Sequence, residues 1–280
     1  MTTLLDVPVP TRAQLRAHLE ATRIAGDVAT PRENNLRNFR LMSERNPQFL
    51  FGLEPAGSWT PEEVLALMAR RCGVVPDPGY RAGPDRIDVA LTLAALDRYA
   101  ARLARAAQRR ERVMVATGHP AGLFAIHVEV ARALEEAGCR LLMPAAGWAY
   151  QTQTREGPAW RDLRYIGGVA VLHAGAELKH THSARPMRAM LQALRNAGEA
   201  PPDLVVADHG WAGAAGQAGV DAIGFADCND PALFVGEAEG KVHVVVPLDD
   251  NVAPHHYAPL TTYLLDAAGL LHDSSQPLPQ

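Results

Sequence analysis

A chain of 280 residues, 48% hydrophobic and 21% charged, is long enough to bury a substantial core and has none of the compositional marks of disorder. Its formal net charge of −4 gives no electrostatic footprint for nucleic acid or an anionic membrane, which leaves a small molecule as the expected partner. Cys72, Cys139 and Cys228 lie far apart and form no CxxC pair, the opening Met1-Thr2-Thr3-Leu4-Leu5-Asp6 has neither a basic nor a long apolar segment, and no apolar run reaches about 18 residues; a cytoplasmic protein is therefore expected.

Helices dominate the first part of the chain. One is expected from Arg12 to Asp27, a second from Arg32 to Arg45, and a third from Pro61 to Arg71, which Thr60 caps and Glu63 completes as a capping box. The stretch from Asn46 to Pro55 is irregular and aromatic. A long helix from Asp85 to Gln108 carries Arg98, Arg102 and Arg105 at helical spacing, which reads as a solvated face with acidic partners in preference to an anion-binding patch. After Glu111 the rhythm becomes strand, turn, helix. Val113 to Ala116 is a strand leading to a helix from Ala121 to Ala137, and Cys139 to Met143 is the next strand. Residues 147–158 read as a long polar loop. Tyr165 to Leu172 and Glu177 to His182 read as a hairpin turning at Ala174-Gly175, and Ser183 caps a helix to Asn196. Strands at 204–207, 221–225 and 242–246 alternate with helices, a last helix runs from Pro259 to Leu270, and the tail from Asp273 to Gln280 is expected to fray. The expected fold is α/β, a doubly wound, mostly parallel sheet with an N-terminal helical region: residues 1–110 pack on a core domain of residues 111–280.

Four of the apolar runs stop abruptly at polar clusters: Thr117-Gly118-His119, Asp208-His209-Gly210, Asp227-Cys228-Asn229-Asp230 and Asp249-Asp250-Asn251. Aliphatic runs of this length suit strands covered on both faces, and ligands of such sheets bind at the carboxyl ends of the strands. His119, Asp208, His209 and Asp227 are accordingly the candidate catalytic residues. Thr117, Gly118, Gly210 and Gly213 are the candidate phosphate binders, because glycines at strand-to-helix turns let backbone N–H groups approach an anion. For the run Gly210, Gly213, Gly216 and Gly219, close helix-to-sheet packing is an equally good explanation.

His180 and His182, at i and i+2, point to one side of an extended chain, a geometry that chelates one ion. Together with Asp208 they are the candidate ligands of a divalent metal: zinc, manganese, magnesium or iron. Asp230 before Pro231 has a competing reading as an N-cap. Of Asp249-Asp250 and His255-His256, one residue of each pair is expected to face the site. His127 reads as structural, Cys228 as a minor nucleophile candidate, and Glu33-Asn34-Asn35-Leu36-Arg37-Asn38 as amide-rich enough to contact a ligand.

The segments Thr117-Gly118-His119-Pro120-Ala121-Gly122, His180-Thr181-His182-Ser183, Ala207-Asp208-His209-Gly210-Trp211-Ala212-Gly213 and Gly224-Phe225-Ala226-Asp227-Cys228-Asn229-Asp230-Pro231 resemble those of a bacterial, mostly actinobacterial family that carries the label phosphatase. The resemblance covers most of residues 111–265 and implies the activity without assigning roles to residues. The expected function is a phosphomonoesterase acting on a small phosphorylated metabolite with divalent-metal assistance. A sugar-phosphate isomerase or lyase using the same histidines, and a non-catalytic binder of a phosphorylated metabolite, are the alternatives. A homo-oligomer is left open.

Overall fold

The computed structural model describes residues 7–154 and 157–271; the tail expected to fray lies outside them. The first part of the chain runs α1 (Arg12–Ala21), β1 (Gly26–Pro31), α2 (Arg32–Ser43), α3 (Pro61–Arg71), β2 (Pro84–Ile87) and α4 (Val89–Arg109). The capping box at Thr60 and Glu63 forms as expected. Two helix boundaries are corrected. The first helix ends at Ala21 instead of continuing to Asp27, and the fourth starts at Val89 instead of Asp85, because strands β1 and β2 pair there, antiparallel, with Gly26 opposite Ile87. Alternating burial hides Val28 and Thr30 on one strand and Asp85 and Ile87 on the other. Asp88 then caps α4 by accepting from the Ala90 and Leu91 amides. A fully buried ion pair, Arg32 to Asp85 at 2.8 Å, ties this ribbon to α2, and Asn35 donates to the same carboxylate at 2.9 Å.

From β3 (Arg112–Ala116) the chain continues through α5 (Pro120–Glu136), β4 (Arg140–Leu141), β5 (Ala149–Thr154), β6 (Gly157–Ile166), β7 (Val169–Ala174), β8 (Glu177–Lys179), α6 (Arg185–Asn196), β9 (Leu204–Asp208), α7 (His209–Gln217), β10 (Ala222–Ala226), α8 (Pro231–Ala238), β11 (Val244–Pro247) and α9 (Ala258–Ala267). Among the described residues, nine strands form a mixed sheet ordered β11-β10-β9-β3-β7-β6-β5, with β4 beside β3 and β8 beside β7. The run from β11 to β7 is parallel. The pairing of β4 with β3 is also parallel, while β5 with β6, β6 with β7 and β7 with β8 are antiparallel.

This antiparallel part corrects the reading of residues 147–158 as a loop. Gln151, Thr152, Gln153 and Thr154 alternate between exposed and half-buried along β5, so the strand has a period of two but no aliphatic run to announce it. The segment expected to be continuous from Tyr165 to Leu172 is divided by Gly167-Gly168, both at positive φ, which is what a two-residue hairpin turn demands. The hairpin at Ala174-Gly175 forms between β7 and β8.

Helix α4 packs on β11 and against α1 and α9, while α7 packs on β9 and β10 and against α6 and α8. One hydrophobic cluster runs from Leu15 to Leu270, so both stretches of the chain share a core. On α4, Arg98 pairs with Glu237 at 3.0 Å, but Arg102 departs from the expected solvated face and is buried between Glu111 at 2.7 Å and Asp221 at 2.6 Å.

Glu239, just after α8, fastens the irregular stretch 46–59. Its carboxylate accepts from the Ala56 amide at 2.9 Å, the Trp59 indole at 3.0 Å and the Lys241 ammonium at 2.9 Å. Burial opposes its ionisation, yet these donors, the Trp59 indole first, hold its pKa down to about 2. A depressed carboxylate stabilises the fold fully above its ordinary value of about 4.3, and that contribution disappears as pH falls through the folded value. Replacing Glu239 by Ala should cost about 2 kcal/mol at neutral pH. The denaturant midpoint should fall with the slope unchanged, and the gap from the wild type should close as pH is lowered from about 4 towards 2.

Candidate active site

The chain enters the parallel sheet at β3, places β7 on one side, and returns to place β9, β10 and β11 on the other. The carboxyl ends of β3 and β9 therefore border a topological switch point, where the connections diverge and leave a crevice. The four strand-end clusters of the sequence meet at this edge. His119, His209, Asp227, Asp230, Asp249 and Asp250 line one cavity of about 630 Å³, and His180 and His182, on the chain leaving β8, complete its wall.

Asp208 holds this edge together from behind the cavity. It is fully buried, and its carboxylate accepts from the Thr117 hydroxyl at 2.5 Å, the Gly118 amide at 2.7 Å and His209 Nδ1 at 2.9 Å. Complete burial opposes ionisation, but the hydrogen bond and charge of His209 outweigh it and hold the carboxyl well below the usual range. His127, as expected, is structural: it is buried with Nδ1 against the Leu123 carbonyl at 2.9 Å, and its Nε2 is 3.8 Å from Asp208. His209 sits in the left-handed region at φ 45°, where a residue with a Cβ costs about 1–3 kcal/mol and is held only by its surroundings. That elbow turns its Nε2 to the cavity, 3.3 Å from Asp230 and 3.5 Å from Asp250.

The segment 180–182 is held to the β3 turn by a hydrogen bond from the Thr181 amide to the Gly118 carbonyl at 2.8 Å. The i, i+2 pair consequently faces one way, with the His180 and His182 rings 4.8 Å apart. His119 stacks on His180 at 4.4 Å and His182 on His209 at 4.7 Å, giving four imidazoles in one wall. Burial, and then the neighbouring His209, push the pKa of His180 down to about 4 and that of His182 down to about 3. Burial also acts against a charge on His119 and His209, yet Asp250 raises the first and Asp230 with Asp208 the second. Asp227 and Asp249 are pushed up by burial and by the neighbouring carboxylates.

Three groups of side chains bring their ligand atoms within 4.8 Å of one another: His119 with His180 and His209, His182 with His209 and Asp230, and Asp227 with Asp249 and Asp250. Asp208 belongs to none of them. Thr117 and Gly118 spend their donors on Asp208 and on the Ala170 carbonyl of β7, and they do not line the cavity. A Cβ at Gly210 would stand 2.1 Å from the His182 carbonyl oxygen and one at Gly213 2.2 Å from that of Phe51, so these glycines serve close backbone approach. Cys228 is buried against Asn35 and its thiol pKa is pushed well up, unlike that of a nucleophile.

Other features were legible only in part. Both Asp249 and Asp250 reach the cavity, correcting the expectation of one, because the chain bends after β11 and is not extended. Asp230 makes no capping hydrogen bond and its side chain is turned to His209 instead. Thr30 of β1 donates to Asp227 at 2.7 Å, and Asn34, Arg37 and Asn38 from the amide-rich segment line the cavity. His255 and His256 are not among the residues lining it.

Imidazoles and carboxylates this deeply buried, several without hydrogen-bond partners, are costly to a scaffold and are what an enzyme's cavity contains. The kind of enzyme follows from kinship. The family described as Phosphatase matches residues 10–272, and this chain belongs to it. A Streptomyces coelicolor protein named Phosphatase SCO2771 is 52% identical over 263 residues, which are 93% of this chain and 97% of that protein. The chain is thus a hydrolase with phosphatase activity.

Replacing Asp208 by Asn keeps the shape but removes the charge facing His209 and gives Thr117, Gly118 or His209 a donor where an acceptor stood. Breaking a buried charge pair in this way should destabilise the fold by about 3–5 kcal/mol. The loss is read by equilibrium unfolding, and the His209 ring signals in NMR should report the altered tautomer.

Proposed function

We propose that this phosphatase hydrolyses the phosphate monoester of a small metabolite at the β3/β9 crevice, with a divalent ion held by the imidazole wall. The observation that carries the reading is the wall itself. His119, His180, His182 and His209 lie with ring centroids 4.4 to 5.5 Å apart, and the Nδ1 atoms of His119 and His182 are buried without a hydrogen-bond partner. Such a donor set fits a zinc-, iron- or manganese-class ion, which suits imidazole better than magnesium does. When bound, the ion polarises the phosphoryl oxygens and lowers the pKa of a bound water.

The chain's own residues prepare the site. Asp208 accepts from His209 Nδ1, which fixes the tautomer and leaves Nε2 for the cavity. His180 and His182, with pKa values near 4 and 3, are neutral at neutral pH, the state in which a ring nitrogen offers its lone pair. Arg37 lines the cavity with no carboxylate partner among the described residues, and so offers charge to a phosphate, while Asn34 and Asn251 offer amides to the rest of a polar metabolite. A cavity of about 630 Å³ suits a ligand of that size. In this reading residues 1–110 and 111–280 work as one unit, since Thr30, Asn34 and Arg37 come from the first stretch and the acids from the second.

Replacing His182 by Ala should lower metal content and phosphate release together, by about 10- to 100-fold, with activity partly restored by excess metal. Elemental analysis and a phosphate-release screen against metabolite phosphates, with and without chelator, measure both. Full activity after exhaustive chelation would refute metal assistance, and an absence of turnover on every small monoester would refute the substrate class.

A further inference from the structure

We propose that Asp227, Asp249 and Asp250 form a second ion site, made of oxygen ligands alone and suited to a harder divalent ion, Mg²⁺ or Mn²⁺, beside the imidazole-held one. The inference rests on the reading of the crevice as a metal-assisted phosphatase centre.

The three carboxylates present oxygens within 4.8 Å of one another while being only 3%, 3% and 5% exposed. No lysine or arginine among the described residues forms an ion pair with any of them; Asp250 pairs with imidazoles alone. Three like charges so close in a poorly solvated place cannot all remain ionised unless a cation or protons intervene. The hydrogen bonds favour the cation. Asp227 receives the Thr30 hydroxyl at 2.7 Å, the Cys228 amide at 2.6 Å and the Asn229 amide group at 2.8 Å. Those three donors orient the carboxyl group and, of about four lone-pair positions on a carboxylate, leave one for an ion.

A second observation comes from the imidazole side of the cluster. His119, 5% exposed, turns Nδ1 to within 3.3 Å of Asp250 Oδ2, and neither atom makes a hydrogen bond. Asp250 Oδ2 is also 3.5 Å from His209 Nε2. The atom common to the acidic group and the imidazole wall is thus the one left unsatisfied, as a carboxylate oxygen shared between two ions would be. Donor chemistry separates the sites: carboxylate oxygens alone select magnesium- or manganese-class ions, and imidazoles select zinc-class ions.

The test uses the full chain, stripped by chelator, loaded with one equivalent of Zn²⁺ and titrated with Mn²⁺ while the free Mn²⁺ signal is followed by electron paramagnetic resonance. The zinc-loaded protein should take up Mn²⁺ that excess Mg²⁺ displaces without releasing zinc. Asp249→Asn should lose at least about tenfold in Mn²⁺ affinity and keep its zinc, and Asp250→Asn should weaken both. Circular dichroism checks that each variant is folded. If the zinc-loaded wild type binds no Mn²⁺, or if folded Asp249→Asn binds it as tightly as wild type, protons settle the cluster and the proposal is overturned. The two readings fail separately: His182→Ala that keeps its zinc undermines the imidazole site alone, and Asp249→Asn that keeps its Mn²⁺ undermines the oxygen site alone.

Discussion

The buried carboxylate of Asp208 is the constraint on which the rest of the site depends. It belongs to β9, yet two of its three short hydrogen bonds come from the turn after β3, so one side chain fixes the spacing of two strand ends. A charge in a fully buried position is tolerable only if its lone pairs are filled, and here an alcohol, a peptide N–H and an imidazole fill them. The same contacts hold His209 in a backbone conformation it would not otherwise adopt. Thr181 then hydrogen-bonds the Gly118 carbonyl, so the strut passes its order to the segment that carries His180 and His182.

The imidazoles divide by what faces them. His119 and His209 look towards carboxylates, which draw their pKa values up against the effect of burial. His180 and His182 have other rings as near neighbours, including Phe51 at 4.9 Å from His182, and burial pushes them down. A wall of four equivalent histidines would titrate as a repelling set and open on acidification. In this one the outer rings, His119 and His209, tolerate a proton and the inner pair, His180 and His182, resists it, so the inner pair keeps a lone pair on each ring across the neutral range.

How much of this the sequence displays depends on how each part is stabilised. Parallel strands buried on both faces must be aliphatic throughout, so β3, β9, β10 and β11 and the polar residues that end them stand out from their surroundings. The ribbon of β1 and β2 is a few residues long and is held by the Arg32 to Asp85 ion pair, a contact 53 positions apart in the chain with no local signature. Strand β5 sets its polar residues opposite small or aromatic ones of β6, Gln151 facing Trp160 and Thr152 facing Ala159, and its polar run reads locally as a loop. At the site, the residues with local chemistry were visible, His180 with His182 above all. Thr30 was not, because its role appears only when β1 is folded over Asp227. Asp230 carries the pattern of an ordinary N-cap, and only the absence of a capping hydrogen bond reveals its other use.

The glycines show why a site of this kind needs more than its polar residues. A Cβ at Gly118 would stand 2.4 Å from the Thr181 carbonyl oxygen, and one at Gly122 1.9 Å from that of Asp250. Neither distance is one that real side chains tolerate, and in both cases the obstacle is backbone, which cannot swing aside. Each glycine lies beneath a segment whose side chains enter the cavity: the histidine pair above Gly118 and Gly210, and Asp250 above Gly122. The spacing of the cavity-facing groups is therefore set from outside the cavity by the absence of side chains. To reach even 3.0 Å from a methyl group added there, that backbone would have to move by about 0.6 Å at Gly118 and about 1.1 Å at Gly122, more than the roughly 0.5 Å within which a site must hold its groups.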